Sequence, residues 1–507
     1  MLEYLERISE REIYVPCAIL LLIVITSWLY TTTTKQEYIP GVPVVGVDKN
    51  NNLISARERF RQHAKEMLLD GYAMYKGRPF YIPSPLGERL MLPPKYVQEL
   101  KNAPEEDCDF VGAFLEMVEG KYTTIGDRST LHTGVAKVQL NANLSDIVPC
   151  LWEEIEDCFQ AALPGCDDWT EVKIADRFVN IVARVSSCMF GGPQLSRDEK
   201  WVSSTINFAL DGFLVAQKIK AIPKILRPLM ARFIPELKNI SQHNQTARDI
   251  IIPILQARDH IGENEEKPRD FLQWMADEAR GDEKDGSFLS KLQLTIGFVS
   301  IHTTAAATTQ LLFDLCLMPE YIDILRSELH EVLQEYGALN KQALAKLVKM
   351  DSIMKESQRL NPLLLITFER IITKRIVLSD GFTIPKNTTI GVPAQALSMD
   401  PDLYVDPGKF DGLRFAKTPK EGEVRAQHVA SNLRSMAFGY GRHACPGRFF
   451  ASNEIKMIMA YLLLNFDFKF PEGQGARPHN IAAETQLLPN PEATVCFKRR
   501  SQSNQLS

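Results

Sequence analysis

The chain lacks any CxxC pair: its nine cysteines are scattered at irregular spacings, a pattern that fits reduced thiols on the cytosolic side better than a disulfide framework. It also lacks a basic stripe. A net charge of −5 and a pI near 6.1 argue against a general nucleic-acid binder. No Pro/Ser-rich linker, repeat or low-complexity tract interrupts the sequence after the first fifty residues, so 507 residues are expected to form one large body. Charge is absent from Ile13 to Tyr30, and Ala18 to Ile25 is nearly all aliphatic, which suits a slightly short membrane-spanning helix. The preceding residues mix Glu3, Glu6, Glu10 and Glu12 with Arg7 and Arg11, without the basic start or small-residue cleavage site of a signal peptide. Residues 1–33 are therefore expected to be an uncleaved anchor and 34–507 the working domain. Lys35 is the only basic residue close behind the span, and the acidic front points to a lumenal N-terminus and a cytosolic body. Prolines in Ile39 to Gly46 would stiffen the connection.

A second uncharged stretch, Leu292 to Phe313, holds Gln293, His302, Gln310 and several threonines, a polar content that a lipid-exposed helix resists. A buried central helix is expected there. Apolar periodicity predicts helices over Glu153–Ala162, Val172–Phe190, Trp201–Gln217, Phe271–Ala279, Ser287–Leu317, Ile322–Tyr336 and Asp351–Leu360. Strand-like pieces are few: Ile376–Leu378, Thr383–Ile384, Thr389–Val392 and Ala493–Phe497. The fold class is mainly α with small β-sheets.

The most informative residues are Phe438-Gly-Tyr-Gly-Arg-His-Ala-Cys-Pro-Gly447. A thiolate that ligates haem iron must be shielded from water and receive backbone N–H dipoles, which tune its electron donation. Cys445 would be that thiolate, Gly441 and Gly447 would let the backbone come close, and Phe438 would shield the sulfur. The apolar run from Phe449 to Leu464 carries a helix onward from Pro446-Gly447. A buried structural thiol is the ordinary fate of a lone cysteine, but the spacing favours the ligand. The string resembles the cysteine loop of the cytochrome P-450 family, F-x-x-G-x-[R/H]-x-C-x-G, with His443 where arginine is commoner.

The resemblance implies the cytochrome P-450 fold and further site residues. Glu356, Arg359 and Arg414 match the family's Glu-Arg-Arg lock, a buried network that fixes the loop leading to the cysteine; Glu58 to Arg61 carries the same E-x-x-R spacing as a decoy. Val299-Ser-Ile-His302-Thr303-Thr304 occupies the place of A-G-x-D-T-T. Thr303 then matches the hydroxyl that hydrogen-bonds dioxygen, while His302 replaces the acid; protons would pass through His302 itself or through water and Thr304. The plainer alternative is a back-bonded threonine and a packed histidine. Arg370 and His443 would hold haem propionates. His132 and Lys137 stand where many relatives carry W-x-x-x-R, although that motif is absent.

Phe190 to Trp201 and Ile301 to Thr304 look like fungal secondary-metabolism members, including oxidases of gibberellin precursors and other terpenoids, and mycotoxin pathways belong to the same class. Apolar residues Phe298, Val299, Pro362 to Phe368, Phe208 to Phe213 and Leu487-Leu488 would line the site of a bulky hydrocarbon-like substrate. The stretch Ile219 to Phe233 would dip into the membrane. The expected activity is monooxygenation with haem b (iron protoporphyrin IX) and O2. No flavin or nicotinamide module follows Cys445, so electrons would come from NADPH through NADPH-cytochrome P-450 reductase, with cytochrome b5 as a further donor, docking near Arg434, Arg442 and Arg448. A single-pass endoplasmic reticulum protein with no nucleic-acid partner is implied. Two alternatives stay open: a peroxide isomerase or dehydratase needing no external electrons, against which Thr303 counts, and a non-catalytic haem ligand-binding protein.

Overall fold

The computed structural model describes residues 38–47, 52–84, 87–163, 165–261, 265–417 and 427–501. The expected anchor at 13–30 lies outside these, and no helix among the described residues is long and apolar enough to cross a membrane. The helices that position the site are α1 (Leu53–Met74), α2 (Pro94–Leu100), α3 (Phe110–Met117), α4 (Leu131–Val135), α5 (Leu144–Ala162), α6 (Ile174–Gly191), α7 (Glu199–Lys220), α8 (Glu236–Asp259), α9 (Phe271–Glu278), α10 (Gly286–Leu317), α11 (Glu320–Tyr336), α12 (Val348–Leu360) and α13 (Arg448–Asn465). A π-helical turn, Ala136–Leu140, continues α4.

α10 is the axis of the molecule, packed against α6, α7, α8, α12 and α13. It is apolar on every side, as a helix surrounded by others must be. Several of its polar side chains are hydrogen-bonded at short range: Ser290 Oγ donates to Gly286 O at 2.6 Å, Gln293 Nε2 to Phe190 O at 3.1 Å and Thr308 Oγ1 to Thr304 O at 2.8 Å, while Gln293 Oε1 and Gln310 Nε2 have no partner among the described residues. Polar residues that a bilayer would reject thus sit comfortably in a protein core.

A five-stranded sheet flanks the helices in the order β1 (Phe80–Ser84), β2 (Gly87–Met91), β8 (Thr389–Val392), β5 (Thr367–Ile372), β3 (Cys108–Asp109), with only β2 and β8 parallel. β4 (Thr170–Lys173), β12 (Thr494–Arg499) and β9 (Phe466–Lys469) form a second sheet. Two hairpins complete the set, β6 (Ile376–Val377) with β7 (Thr383–Ile384), and β10 (Ile481–Ala483) with β11 (Gln486–Leu488). The helix expected from Val172 begins instead at Ile174, because Thr170 to Lys173 alternate in burial and Val172 pairs with Val495 of β12. Packing of α5 on α6 brings the sulfurs of Cys150 and Cys188, 38 residues apart, close together, a proximity that no spacing rule shows.

Candidate active site

The cysteine loop is built by two tight backbone devices. Cys445 N donates to Phe438 O at 2.7 Å, closing the loop on itself. Gly441 adopts φ +73°, and a Cβ there would lie 2.4 Å from Lys101 O, so glycine alone lets the loop press against the end of α2, where Arg442 N donates to Lys101 O at 3.0 Å. Burial pushes the Cys445 thiol up; N–H groups of Gly447 and Arg448 and the Arg448 charge oppose that rise. Those are the groups that would stabilise a thiolate. Phe438 rests edge-on against His428, ring centroids 5.2 Å apart, and His428 Nδ1 lies 3.0 Å from Ser452 Oγ on α13. Burial and the nearby Lys355 and Lys456 charges drive the His428 imidazole down to about 3, so it is a neutral prop beneath the loop.

Glu356, Arg359 and Arg414 come together as expected. Arg359 binds Glu356 through two parallel bonds of 2.8 Å, Arg414 Nε reaches both carboxylate oxygens at 3.1 Å, and Asp411 N donates to the same carboxylate at 3.0 Å. The spare guanidinium donors grip carbonyls of Ser398, Pro407 and Val405 at 2.8, 2.7 and 2.7 Å. Two further links that local spacing does not reveal carry the lock to the cysteine loop. Arg359 stacks over the Tyr404 ring, whose hydroxyl donates to Arg434 O at 3.0 Å, and Lys355 Nζ holds the carbonyls of Gln427 and Ala430 at 3.1 and 2.7 Å. The decoy pair Glu58 and Arg61 is a surface contact at 3.2 Å, with side chains 59% and 50% exposed.

On α10, Val299 is 44% exposed, and among the helix's other residues only Leu317 at its C-terminal end is also exposed. Thr303 Oγ1 donates back to Val299 O at 2.8 Å and is within 3.1 Å of Ser300 O. His302 turns to α7, its Nε2 donating to Ile206 O at 3.1 Å, and burial lowers its pKa. Thr304 is buried.

Arg370 is buried between the rings of Phe110 and Phe368, 4.7 and 4.4 Å from their centroids. A register shift between Thr367 and Arg370, with Phe368 at φ 58°, aims it there. Burial lowers its pKa to about 10, leaving it cationic at neutral pH, and among the described residues no carboxylate forms an ion pair with it. His443 stacks on the same Phe110 ring at 4.9 Å. Burial and the Arg370, Arg442 and Lys137 charges hold its imidazole down to about 4. Its Nε2 is 2.9 Å from Glu105 Oε2 but is not aligned to donate, so both buried atoms lack a hydrogen bond. Lys137 Nζ reaches Arg442 O at 3.4 Å, which brings Lys137, Arg370 and His443 together. His132 has a buried Nδ1 without a partner and sits beside Asp127; among the described residues no contact joins it to the other three.

A haem would need a buried sulfur on one side and donors for its carboxylates. The unpaired Arg370 cation, the orphaned nitrogens of His443 and His132, and a Gly447 around which a Cβ would meet nothing within 4 Å fit that group.

Comparison with known proteins agrees. The "Cytochrome P450" family model matches residues 129–497. The cytochrome P450 monooxygenase braC of Annulohypoxylon truncatum is 36% identical over 95% of this chain and 96% of its own length. Ent-kaurene oxidase P450-4 of Gibberella fujikuroi is 34% identical over 88% of this chain and 89% of its own, and the cytochrome P450 monooxygenase paxP of Penicillium paxilli 33% identical over 88% of each. With the cysteine loop and the Glu-Arg-Arg lock built as described, the chain belongs to the cytochrome P450 family and is an enzyme of the monooxygenase type.

Proposed function

We propose that this enzyme is a membrane-anchored haem-thiolate monooxygenase that inserts one oxygen atom of O2 into a bulky apolar secondary metabolite of terpenoid type. The observation that carries this reading is the Cys445 loop, with its sulfur facing the N–H groups of Gly447 and Arg448. Bound haem b would supply the activation of dioxygen, consuming two electrons and two protons per oxygen atom inserted and releasing the other as water. Arg370, His443, Lys137 and His132 would bind the propionates. Thr303 has its hydroxyl proton committed to the helix, so Oγ1 offers lone pairs to a water in the cavity, and it becomes a donor only when that back-bond breaks. His302 has one ring nitrogen engaged with α7 and Thr304 is packed away, which favours water held beside Thr303 as the proton route.

An ent-kaurene oxidase among the relatives supports a terpenoid substrate. Electrons would come from NADPH through NADPH-cytochrome P-450 reductase, with cytochrome b5 as a further donor, at the face carrying Arg434, Arg442 and Arg448. Exposed Leu229, Met230 and Phe233 beside Lys224 and Arg232 support a surface dipping into the endoplasmic reticulum membrane, with residues 1–33 as the anchor and the body cytosolic. The test is spectroscopic and kinetic. Cys445→Ala should abolish the reduced carbon-monoxide Soret band of a thiolate-ligated haem, and Thr303→Ala should keep the band while NADPH consumption exceeds product. Correctly folded wild-type protein that cannot take up hemin would end the proposal.

A further inference from the structure

Eleven residues beyond Thr303, about three helical turns, α10 carries Asp314 on the same side, and Gln310 lies on that stripe too. Asp314 is fully buried, and its carboxylate is gripped from two directions. Arg477 Nε donates to Oδ1 at 2.6 Å, while Ser357 Oγ at 2.6 Å and Asn361 Nδ2 at 3.4 Å, both from the end of α12, reach Oδ2. The rest of the Arg477 guanidinium holds Gln310 through its carbonyl at 3.2 Å and its side-chain oxygen, and reaches Asn480 Oδ1 at 3.1 Å. Asn480 Nδ2 then donates to Asn361 Oδ1 at 2.9 Å, closing a ring of side chains.

On the proposed function, both segments leaving this ring belong to the walls of the apolar substrate site. Asn361 opens the stretch Leu363 to Phe368; Asn480 opens the β10–β11 hairpin. They are stitched to each other, Leu365 N donating to Thr485 O at 2.8 Å and Leu487 N to Leu363 O at 2.9 Å. Among the described residues, the bonds of Arg477 and Asn361 to Asp314 and Gln310 are the hydrogen bonds that tie this pair of segments to α10, and directed bonds resist sliding more than apolar contact does.

We infer that the Arg477–Asp314 ring is the positioning device that sets the height of the two substrate walls over Thr303, and thereby which carbon of a bulky substrate lies within reach. The inference rests on the proposed function only for where substrate sits. Asp314 and Arg477 are positioning residues, since neither touches the cavity chemistry.

Two variants of the full-length protein test it. Arg477→Gln removes the clamp, and Asn480→Ala removes only the link between Arg477 and Asn361. Hydrogen exchange should accelerate by about tenfold in peptides covering 363–366 and 485–488, with α12 and the cysteine loop unchanged. In haem-loaded protein, the dissociation constant for clotrimazole, which must fit between the walls, should rise by about tenfold while that for imidazole stays within about twofold. If Arg477→Gln does not fold, Asn480→Ala decides. Unchanged exchange in the two wall peptides, exchange raised equally along the chain, or equal shifts for the two azoles would overturn the inference. The exchange readout needs no haem, so a wild type unable to take up hemin sinks the proposed function without deciding this one.

Discussion

Glu454 on α13 should make this protein lose stability as the pH rises. Its carboxyl is fully buried against α6; Ser186 Oγ donates to Oε1 at 2.9 Å, Oε2 has no partner, and among the described residues no cation pairs with it. Burial pushes its pKa up from the ordinary 4.5 to about 8, against the smaller pull of Ser186. The native state therefore keeps a proton that the unfolded chain gives up at about pH 4.5. Between about pH 4.5 and about pH 8 the native state binds one proton more, so stability falls by about 1.4 kcal/mol per pH unit, to a total of up to about 5 kcal/mol. Glu454→Gln keeps the shape and the acceptor for Ser186 but never ionises. Urea unfolding of both proteins, followed at intervals from about pH 5 to about pH 9, should show nearly equal stability at the acid end. The glutamine variant should then gain by several kcal/mol toward the alkaline end, with the difference levelling off above pH 8. A difference that stays flat across that range would show that Glu454 ionises inside the fold without cost, and the burial argument would be wrong.

Glu356→Gln leaves Arg359 and Arg414 without their shared charge in a buried site and should cost about 3–5 kcal/mol, read as a lowered urea midpoint together with a lower haem-to-protein ratio. Gly441→Ala forces a Cβ against Lys101 O at a positive φ; a loss of about 1–3 kcal/mol and weakened hemin retention are expected, measured by hemin transfer to apomyoglobin. Arg370→Gln should speed that same transfer while leaving the position of the carbon-monoxide Soret band unchanged, because the residue would face the propionates and not the sulfur.

What is legible in the sequence is what local spacing encodes. The cysteine loop is ten consecutive residues, and its defining contacts, Cys445 N to Phe438 O and Gly441 against α2, are dictated by that string and one neighbour. The lock shows the limit of such reasoning. Glu58-x-x-Arg61 and Glu356-x-x-Arg359 have identical spacing, yet one pair is solvated and the other is 0% and 3% exposed; what separates them is Arg414, some fifty residues on, and the carbonyls it helps to gather. α8 is hidden from periodicity because it is a polar helix that buries only a few residues, which leaves little apolar repeat to detect. The Arg477–Asp314 ring spans more than 160 positions and has no motif at all.

The motif at 302–304 reads in sequence as one unit, and the helix divides it among three environments, because each residue turns about 100° from the last. Thr303 is half-buried, Thr304 is packed away, and His302 is pressed onto α7. That division gives a physical reason for a histidine where the A-G-x-D-T-T pattern has an acid. A carboxylate facing the Ile206 carbonyl would set two acceptors against each other in a buried place, whereas a neutral imidazole has an N–H to give. Burial keeps His302 neutral, so its bond to Ile206 does not depend on the charge state of anything nearby. The histidine thus serves as a hydrogen-bonded brace between α10 and α7 in place of an ionised acid.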